Sequence, residues 1–239
     1  MTGSVVPDAA LVRQRLAMLR ERIRAAGGDD EAIEVVGVTK GFPPGIVDAA
    51  LDAGLSALGE NYAQELLEKV GRQARCGSAA DVGRARHDPV RWQFIGALQR
   101  NKVRQLAPYV DRWQSIDRPE LVDELARRAP HARLLVQVNT TGEPGKAGCA
   151  PADVGPLVER AMAADLVVEG LMTVGPTDPH ASPVAPFRLL RDLVDRHGLR
   201  WCSMGMSDDL EVAVGEGTNM IRIGRALFGP RARRANVGN

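Results

Sequence analysis

The strongest constraint on the fold of this chain is its alternation. Short apolar runs, each closed by Gly, Pro or a polar residue, are separated by stretches of helical spacing from residue 34 almost to the end. The first run sets the pattern: Val35, Val36, Gly37 and Val38 lead into Thr39 and Lys40, and the chain then breaks at Gly41-Phe42-Pro43-Pro44. A β-branched run ended by Gly and Pro reads as a buried strand, because Pro can neither continue a helix nor donate to a ladder. The same reasoning predicts strands over Leu55–Gly59, Arg91–Ile95, Arg112–Ile116, Arg133–Asn139, Leu166–Met172, Trp201–Met204 and Met220–Ile223. The intervening segments, among them Pro44–Ala53, Ala63–Arg72, Pro151–Ala163, Val184–His197 and Asp208–Glu216, are predicted as helices, with a last helical turn from Arg225. Strands and helices in this order imply right-handed βαβ units and a parallel sheet. About eight units in 239 residues match a closed (β/α)8 TIM barrel, for which roughly 250 residues is typical. A doubly wound open sheet is the alternative, but the first strand lacks a G-x-G-x-x-G turn.

Asp8 precedes apolar positions Val12, Leu16, Leu19 and Ile23, one stripe of an extra N-terminal helix that Gly27-Gly28 ends. Arg13, Arg15, Arg20, Arg22 and Arg24 flank that stripe and are expected as its solvated face. Only Arg75 to Pro89 lacks periodicity, and it is expected to be a mobile loop or insertion. Residues 1–239 are thus read as one α/β domain with its barrel core at about 30–230.

A net charge of +1, with no basic stretch interleaved with aromatics, leaves no electrostatic footprint for nucleic acid. Met1 to Asp8 shows no leader pattern and no apolar run suits a bilayer, so no membrane partner and a cytoplasmic location are expected. Cys76, Cys149 and Cys202 are odd in number and share no C-x-x-C spacing. With His87, His131, His180 and His197 scattered and expected at the surface, neither a disulfide framework nor a metal site is expected. No strongly apolar surface helix demands an obligate dimer, so a monomer is expected.

In a barrel all strand ends open onto one face, and ligands bind there. Lys40 closes the first strand. Sheltered from water, such a lysine loses hydration of its ammonium and becomes a nucleophile toward a carbonyl; otherwise it is a solvated residue that happens to end a strand. Glu60 and Asn61 follow the second strand, Gln99 and Asn101 the third, Asp117 and Arg118 the fourth, Asn139 the fifth and Thr173 the sixth. Ser203 to Asp209 follow the seventh: Gly205 permits a tight turn and Ser207 is expected where the next helix begins, either as a phosphate contact or as an ordinary N-cap. Gly224, past the eighth strand, lets backbone approach an anion. A phosphate site facing a lysine suits pyridoxal 5′-phosphate, and it also suits a phosphorylated sugar aldehyde in a Schiff-base aldolase.

Val38-Thr39-Lys40, Gly59-Glu60-Asn61-Tyr62, Trp92-Gln93-Phe94-Ile95-Gly96, Leu98-Gln99-Arg100-Asn101-Lys102, Ser115-Ile116-Asp117-Arg118, Gly170-Leu171-Met172, Ser203–Asp209 and Arg222-Ile223-Gly224 occur in this order. This set resembles the pyridoxal phosphate homeostasis protein family. The resemblance implies a barrel like the N-terminal domain of bacterial alanine racemases. It implies pyridoxal 5′-phosphate as cofactor, held as a Schiff base on Lys40, with Ser207 and the Gly224 backbone at its phosphate and Arg222 facing its pyridine nitrogen. Asn61 and Met206 lie in motifs near the cofactor. The family usually has Thr where this chain has Arg225, whose backbone N–H can still serve the phosphate.

A permanently charged arginine at the pyridine nitrogen disfavours its protonation and weakens the ring as an electron sink. Racemisation also needs a second base on the opposite face. In alanine racemases the partner chain's extra β domain supplies it, whereas here only Pro230 to Asn239 follow the barrel, and neither Tyr62 nor Tyr109 is a candidate. The expectation is therefore a binder that buffers pyridoxal phosphate, and could pass it to pyridoxal phosphate-dependent apo-enzymes, with no catalytic residue assigned. The alternative is a racemase or related Schiff-base enzyme.

Overall fold

A computed structural model describes residues 6–76 and 90–230. Eight parallel strands, β1 (Glu34–Val38), β2 (Ala57–Glu60), β3 (Arg91–Phe94), β4 (Val110–Ile116), β5 (Arg133–Gln137), β6 (Val167–Met172), β7 (Trp201–Ser203) and β8 (Met220–Ile223), close into a barrel in sequence order. The ring is sealed by β1 against β8, with Glu34 opposite Met220 and Gly37 opposite Ile223. The helices are α1 (Ala9–Ala25), α2 (Ile46–Asp52), α3 (Ala63–Cys76), α4 (Arg100–Leu106), α5 (Pro119–Arg128), α6 (Val154–Ala163), α7 (Val184–Arg196), α8 (Leu210–Gly215) and α9 (Arg225–Phe228).

The strand predictions hold to within two residues at each end. Three helix starts differ, α2 beginning at Ile46 rather than at Pro44. The segment from Pro151 opens with one 3-10 turn, Pro151–Asp153, before α6, and α8 begins at Leu210 with Asp209 at its N-cap. Most of the aperiodic stretch from Arg75 to Pro89 lies outside the described residues, α3 continuing through its first two residues.

Helix α1 forms as its spacing predicts. Asp8 caps it by accepting from the Leu11 N–H at 2.7 Å, and Val12, Leu16, Leu19 and Ile23 are buried, each worth roughly 1.5–3 kcal/mol of transfer free energy. The helix packs on α2, α8 and α9, which flank the β8–β1 seam. Its arginines do more than face water. Arg13 donates to the Asp52 carbonyl at 2.7 Å, Arg15 to that of Leu227 at 3.2 Å, and Arg22 to that of Ser207 at 3.2 Å, satisfying carbonyls at the ends of neighbouring segments.

Apolar side chains fill the layer between strands and helices, while a smaller cluster of Val36, Leu135, Met172 and Met220 lies apart from it. Strand side chains alternate between inside and outside, and several that share the inside are polar. Ser203 donates to Gln114 Oε1 at 2.7 Å, Gln114 donates to Gln93, and Gln93 donates to Glu34 at 3.5 Å. Glu34 also accepts from Arg91 and Arg112. Arg112 turns to Glu169, and Glu169 and Asp111 pair with Arg133. Opposite charges thus alternate across the amino-terminal mouth of the barrel. The charge balance there fits a stabilising plug, since that mouth is the stability face of such folds.

Among the described residues no helix is long and apolar enough to cross a membrane, and no cluster of His, Cys, Asp and Glu has the arrangement of a metal site. His131 and His180 are exposed and His197 half-buried; His87 lies outside the described residues. Cys149 and Cys202 are unpaired and buried, and burial pushes both thiols up to about 12, which makes them poor nucleophiles at neutral pH.

Candidate functional site

A cavity of 460 Å³ opens beyond the carboxyl ends of the strands, lined by Val38, Lys40, Asn61, Ile95, Val174, Met206, Ser207, Asp208, Arg222, Gly224 and Arg225. Every residue singled out for the cofactor from the sequence, namely Lys40, Asn61, Met206, Ser207, Arg222, Gly224 and Arg225, therefore faces one space. A larger depression of 620 Å³ lies at the opposite mouth among Arg20, Arg91, Arg112, Arg133, Arg200 and Trp201. Its arginines are mostly engaged with the carboxylates named above and no lysine lines it, so the smaller cavity, which Lys40 lines, is the candidate site.

Lys40 is half-buried on a turn just past β1. Arg222, near the end of β8, is 5% exposed. Its Nη1 donates to Ser203 Oγ at 2.6 Å and its Nη2 to the Thr173 carbonyl at 2.5 Å; neither bond uses Nε. Burial pulls the guanidinium down to about 10, with Asp209 opposing the fall, so it stays charged at neutral pH and can only donate. The polar chain through the barrel interior thus ends by fixing this one side chain.

The expected role of Ser207 at the start of α8 is corrected by the structure. That helix begins three residues later, because Asp209 folds back to accept the Met206 N–H at 2.5 Å and so forms its own turn ahead of the helix. Ser207 Oγ instead accepts the Ala226 N–H at 3.3 Å, within the first turn of α9. Gly224 and Arg225 open that turn, and their N–H groups have no intrahelical acceptor. Residues after β7 and β8 consequently converge on one small cradle. Gly205 makes the bend possible: its φ is +98°, and a Cβ there would lie 2.6 Å from the Ala213 methyl. The Arg225 guanidinium bonds Asp208 at the cavity rim, leaving its backbone to face the cradle.

Several strand-end residues serve elsewhere. Asp117 pairs with Arg118 and accepts the Gly148 N–H at 3.3 Å; Asn139 organises its own loop through Thr141, Gly142 and Glu143. Gln99 and Asn101 line a separate shallow depression with Arg100 and Glu124. Glu60 is withdrawn from the cavity by Lys69, a residue sequence reasoning passed over. The signal was there: Lys69 lies on the apolar stripe of α3 beside Leu66 and Val70, and one turn after Glu65.

Loops beside the cavity are strapped together. Lys146 donates to the Gly175 carbonyl at 2.5 Å, and Glu143 accepts the Thr177 N–H at 3.0 Å. Hydrogen bonds from the Thr177 side chain and backbone, aided by Lys146, hold the Glu143 carboxyl down to about 2. A folded value below the ordinary 4.5 means the contribution is present above that value and is lost as pH falls toward 2. Amide exchange at Thr177 should therefore quicken relative to the barrel strands across that window, and Glu143→Gln should flatten the change. Equal acid response in both proteins would refute the strap.

One further atom bears on what the cavity holds. Asn61 Oδ1 is buried and has no hydrogen-bond partner among the described residues, a state that normally implies a missing partner. A lysine amine, a fixed arginine, backbone donors at a cradle and an orphaned acceptor together fit an aldehyde ligand bearing a polar ring and an anionic end.

A family model described as alanine racemase, N-terminal domain, matches residues 10–232. The chain belongs to that family. Within it, the chain is 41% identical to the pyridoxal phosphate homeostasis protein of Pseudomonas aeruginosa, over 90% of this chain and 92% of that one. PipY of Synechococcus elongatus, solved with PLP bound, superposes with a TM-score of 0.74 at 27% identity, covering 91% of this chain and all of that one, 100%. Alanine racemase of Corynebacterium glutamicum shares the fold, with a TM-score of 0.64 at 16% identity, and this chain spans 64% of its length. The expected family and the closed barrel with a preceding helix are thereby borne out.

Proposed function

We propose that this chain is a pyridoxal 5′-phosphate-binding protein that buffers the cofactor and delivers it to pyridoxal phosphate-dependent apo-enzymes. It acts as a cytoplasmic monomer, with residues 1–239 forming one domain. The observation that supports this best is the shared lining of one cavity by Lys40, Arg222, Ser207 and Gly224, and the name of its 41% identical relative agrees. A volume of 460 Å³ falls within the range usual for small-ligand sites, about 300–1,000 Å³.

When bound, the cofactor supplies an aldehyde that a lysine amine can capture and a ring that can accept electron density. Lys40 would hold that aldehyde through its amine. Ser207 and the backbone N–H groups of Gly224 and Arg225 hold the phosphate at the ends of β7 and β8. Arg222, a permanent donor, would hold the ring nitrogen and keep it unprotonated, which suits storage better than turnover. Asn61 and Met206 flank the ring.

Ser207→Ala tests the phosphate end. Loss of a hydrogen bond to a charged group should weaken pyridoxal phosphate binding by about 1–3 kcal/mol, roughly five- to 150-fold, read by titrating the absorbance of the adduct. Unchanged affinity would move the phosphate elsewhere.

A further inference from the structure

Lys40 rides on a turn whose other three residues are each fixed from outside. The Phe42 N–H donates to the Thr39 carbonyl at 3.1 Å to close the turn, and Gly41 takes φ +75°, the value that the third position of such a turn reserves for glycine. Thr39 is held three ways. Its N–H donates to the Gly59 carbonyl at 3.0 Å, its hydroxyl donates to Glu60 at 2.7 Å, and its carbonyl accepts from Lys69 Nζ at 2.8 Å. The Gly41 N–H donates to Glu65 at 2.6 Å. Phe42 packs edge-on against Phe228 with ring centroids 5.8 Å apart, which ties the turn to α9 and hence to the cradle.

Three charged groups run this arrangement. Lys69 Nζ bonds Glu60 and lies 3.8 Å from Glu65, with Lys69 1% and Glu60 0% exposed. The second oxygen of Glu60 accepts the Asn61 N–H at 3.1 Å. One ammonium and two carboxylates thus grip residues 39, 41 and 61, on both sides of Lys40 and beneath the orphaned Asn61 oxygen. Burying such charges costs several kcal/mol per ion, and apolar replacement of a buried pair is commonly as stable. Stability alone is therefore a poor account of why the lysine sits there.

We infer that Lys69, Glu60 and Glu65 are positioning residues for Lys40. They fix its turn so that the amine enters the cavity at a set distance from the α9 cradle, and so favour capture of the aldehyde over simple binding of the phosphate. The inference rests on the proposed capture of pyridoxal phosphate by Lys40. In that step the neutral Lys40 amine attacks the aldehyde carbon, a carbon–nitrogen double bond replaces carbon–oxygen, and the oxygen leaves as water with both amine hydrogens. No oxidant or reductant is needed.

The test compares two ligands on the full chain, pyridoxal 5′-phosphate and pyridoxamine 5′-phosphate, which has the same ring and phosphate but no aldehyde. Lys69→Met/Glu60→Gln removes both buried charges, and Glu65→Gln removes the ionised acceptor of the Gly41 N–H together with the carboxylate charge near Lys69. Each variant should form the borohydride-trapped adduct on Lys40 about tenfold more slowly or worse, the penalty of a misplaced reacting group, while its affinity for pyridoxamine 5′-phosphate stays at the wild-type value. Adduct formation at the wild-type rate, or equal weakening of both ligands, would overturn the inference in favour of a purely structural role. Glu65→Gln carries the test alone should the double variant not fold. A wild-type protein that takes no adduct on Lys40 overturns the underlying reading instead, and is recognised before any variant is made.

Discussion

Borohydride reduction after incubation with pyridoxal 5′-phosphate should leave a stoichiometric adduct on Lys40, and Lys40→Ala should leave none. The chain makes this test unusually discriminating, because it contains only four lysines: Lys40, Lys69, Lys102 and Lys146. Lys69 is shut in at 1% exposure with its ammonium bonded to Glu60 and the Thr39 carbonyl. Lys146 Nζ donates to the Gly175 carbonyl at 2.5 Å and to Thr141 at 3.2 Å. Lys102 belongs to α4 and is not among the residues that line the cavity. Only Lys40 shares a space with Ser207, Gly224 and Arg222. Peptide mapping by mass spectrometry therefore separates the outcomes cleanly. An adduct that persists in Lys40→Ala would place the capture on another amine and remove the basis of the proposed function. In the variant the phosphate cradle is intact, so weak, non-covalent and borohydride-insensitive binding should survive.

The ring of strands was legible because each strand is an apolar run bounded by Gly, Pro or a polar residue, and period and punctuation suffice for that. Lys40 and Gly224 could be set at one mouth for the same reason, since a position just beyond a barrel strand points to one known face; Arg222, inside β8, was given its role by the family resemblance. Ser207 lines the cavity, but not as the residue that opens α8. Three consecutive residues there, Ser207, Asp208 and Asp209, can each cap a helix, and only the back-bond from Met206 to Asp209 decides that α8 starts at Leu210. Lys69 was missed for a different reason. A lysine on a helix is nearly always solvated, and what overrides that prior is Glu60, which approaches it across the barrel wall from β2. Nor could periodicity reveal that the barrel interior is partly polar, since Gln93, Gln114 and Ser203 look like ordinary breaks in apolar strands until the ring closes around them.

Lys69→Met should destabilise the fold by about 3–5 kcal/mol, because it leaves the Glu60 carboxylate buried without its cation. For a chain of this size that corresponds to a fall in melting temperature of roughly 6–20 °C. Adding Glu60→Gln should restore most of the loss, since the uncompensated charge goes with it; a double variant as unstable as the single would show that the pair is there for stability. The loss should also depend on pH in a stated direction. Burial already pushes the Glu60 carboxyl above its ordinary 4.5, with the Lys69 ammonium pulling the other way; without that ammonium it rises further. A raised folded value means that stability is present below the unfolded value and lost as pH rises through the folded one. Lys69→Met should therefore approach the wild type toward pH 4.5 and fall behind it as pH rises, while the double variant should show no such trend. Parallel wild-type and Lys69→Met stability profiles across that range would mean that Glu60 does not depend on Lys69 for its charge.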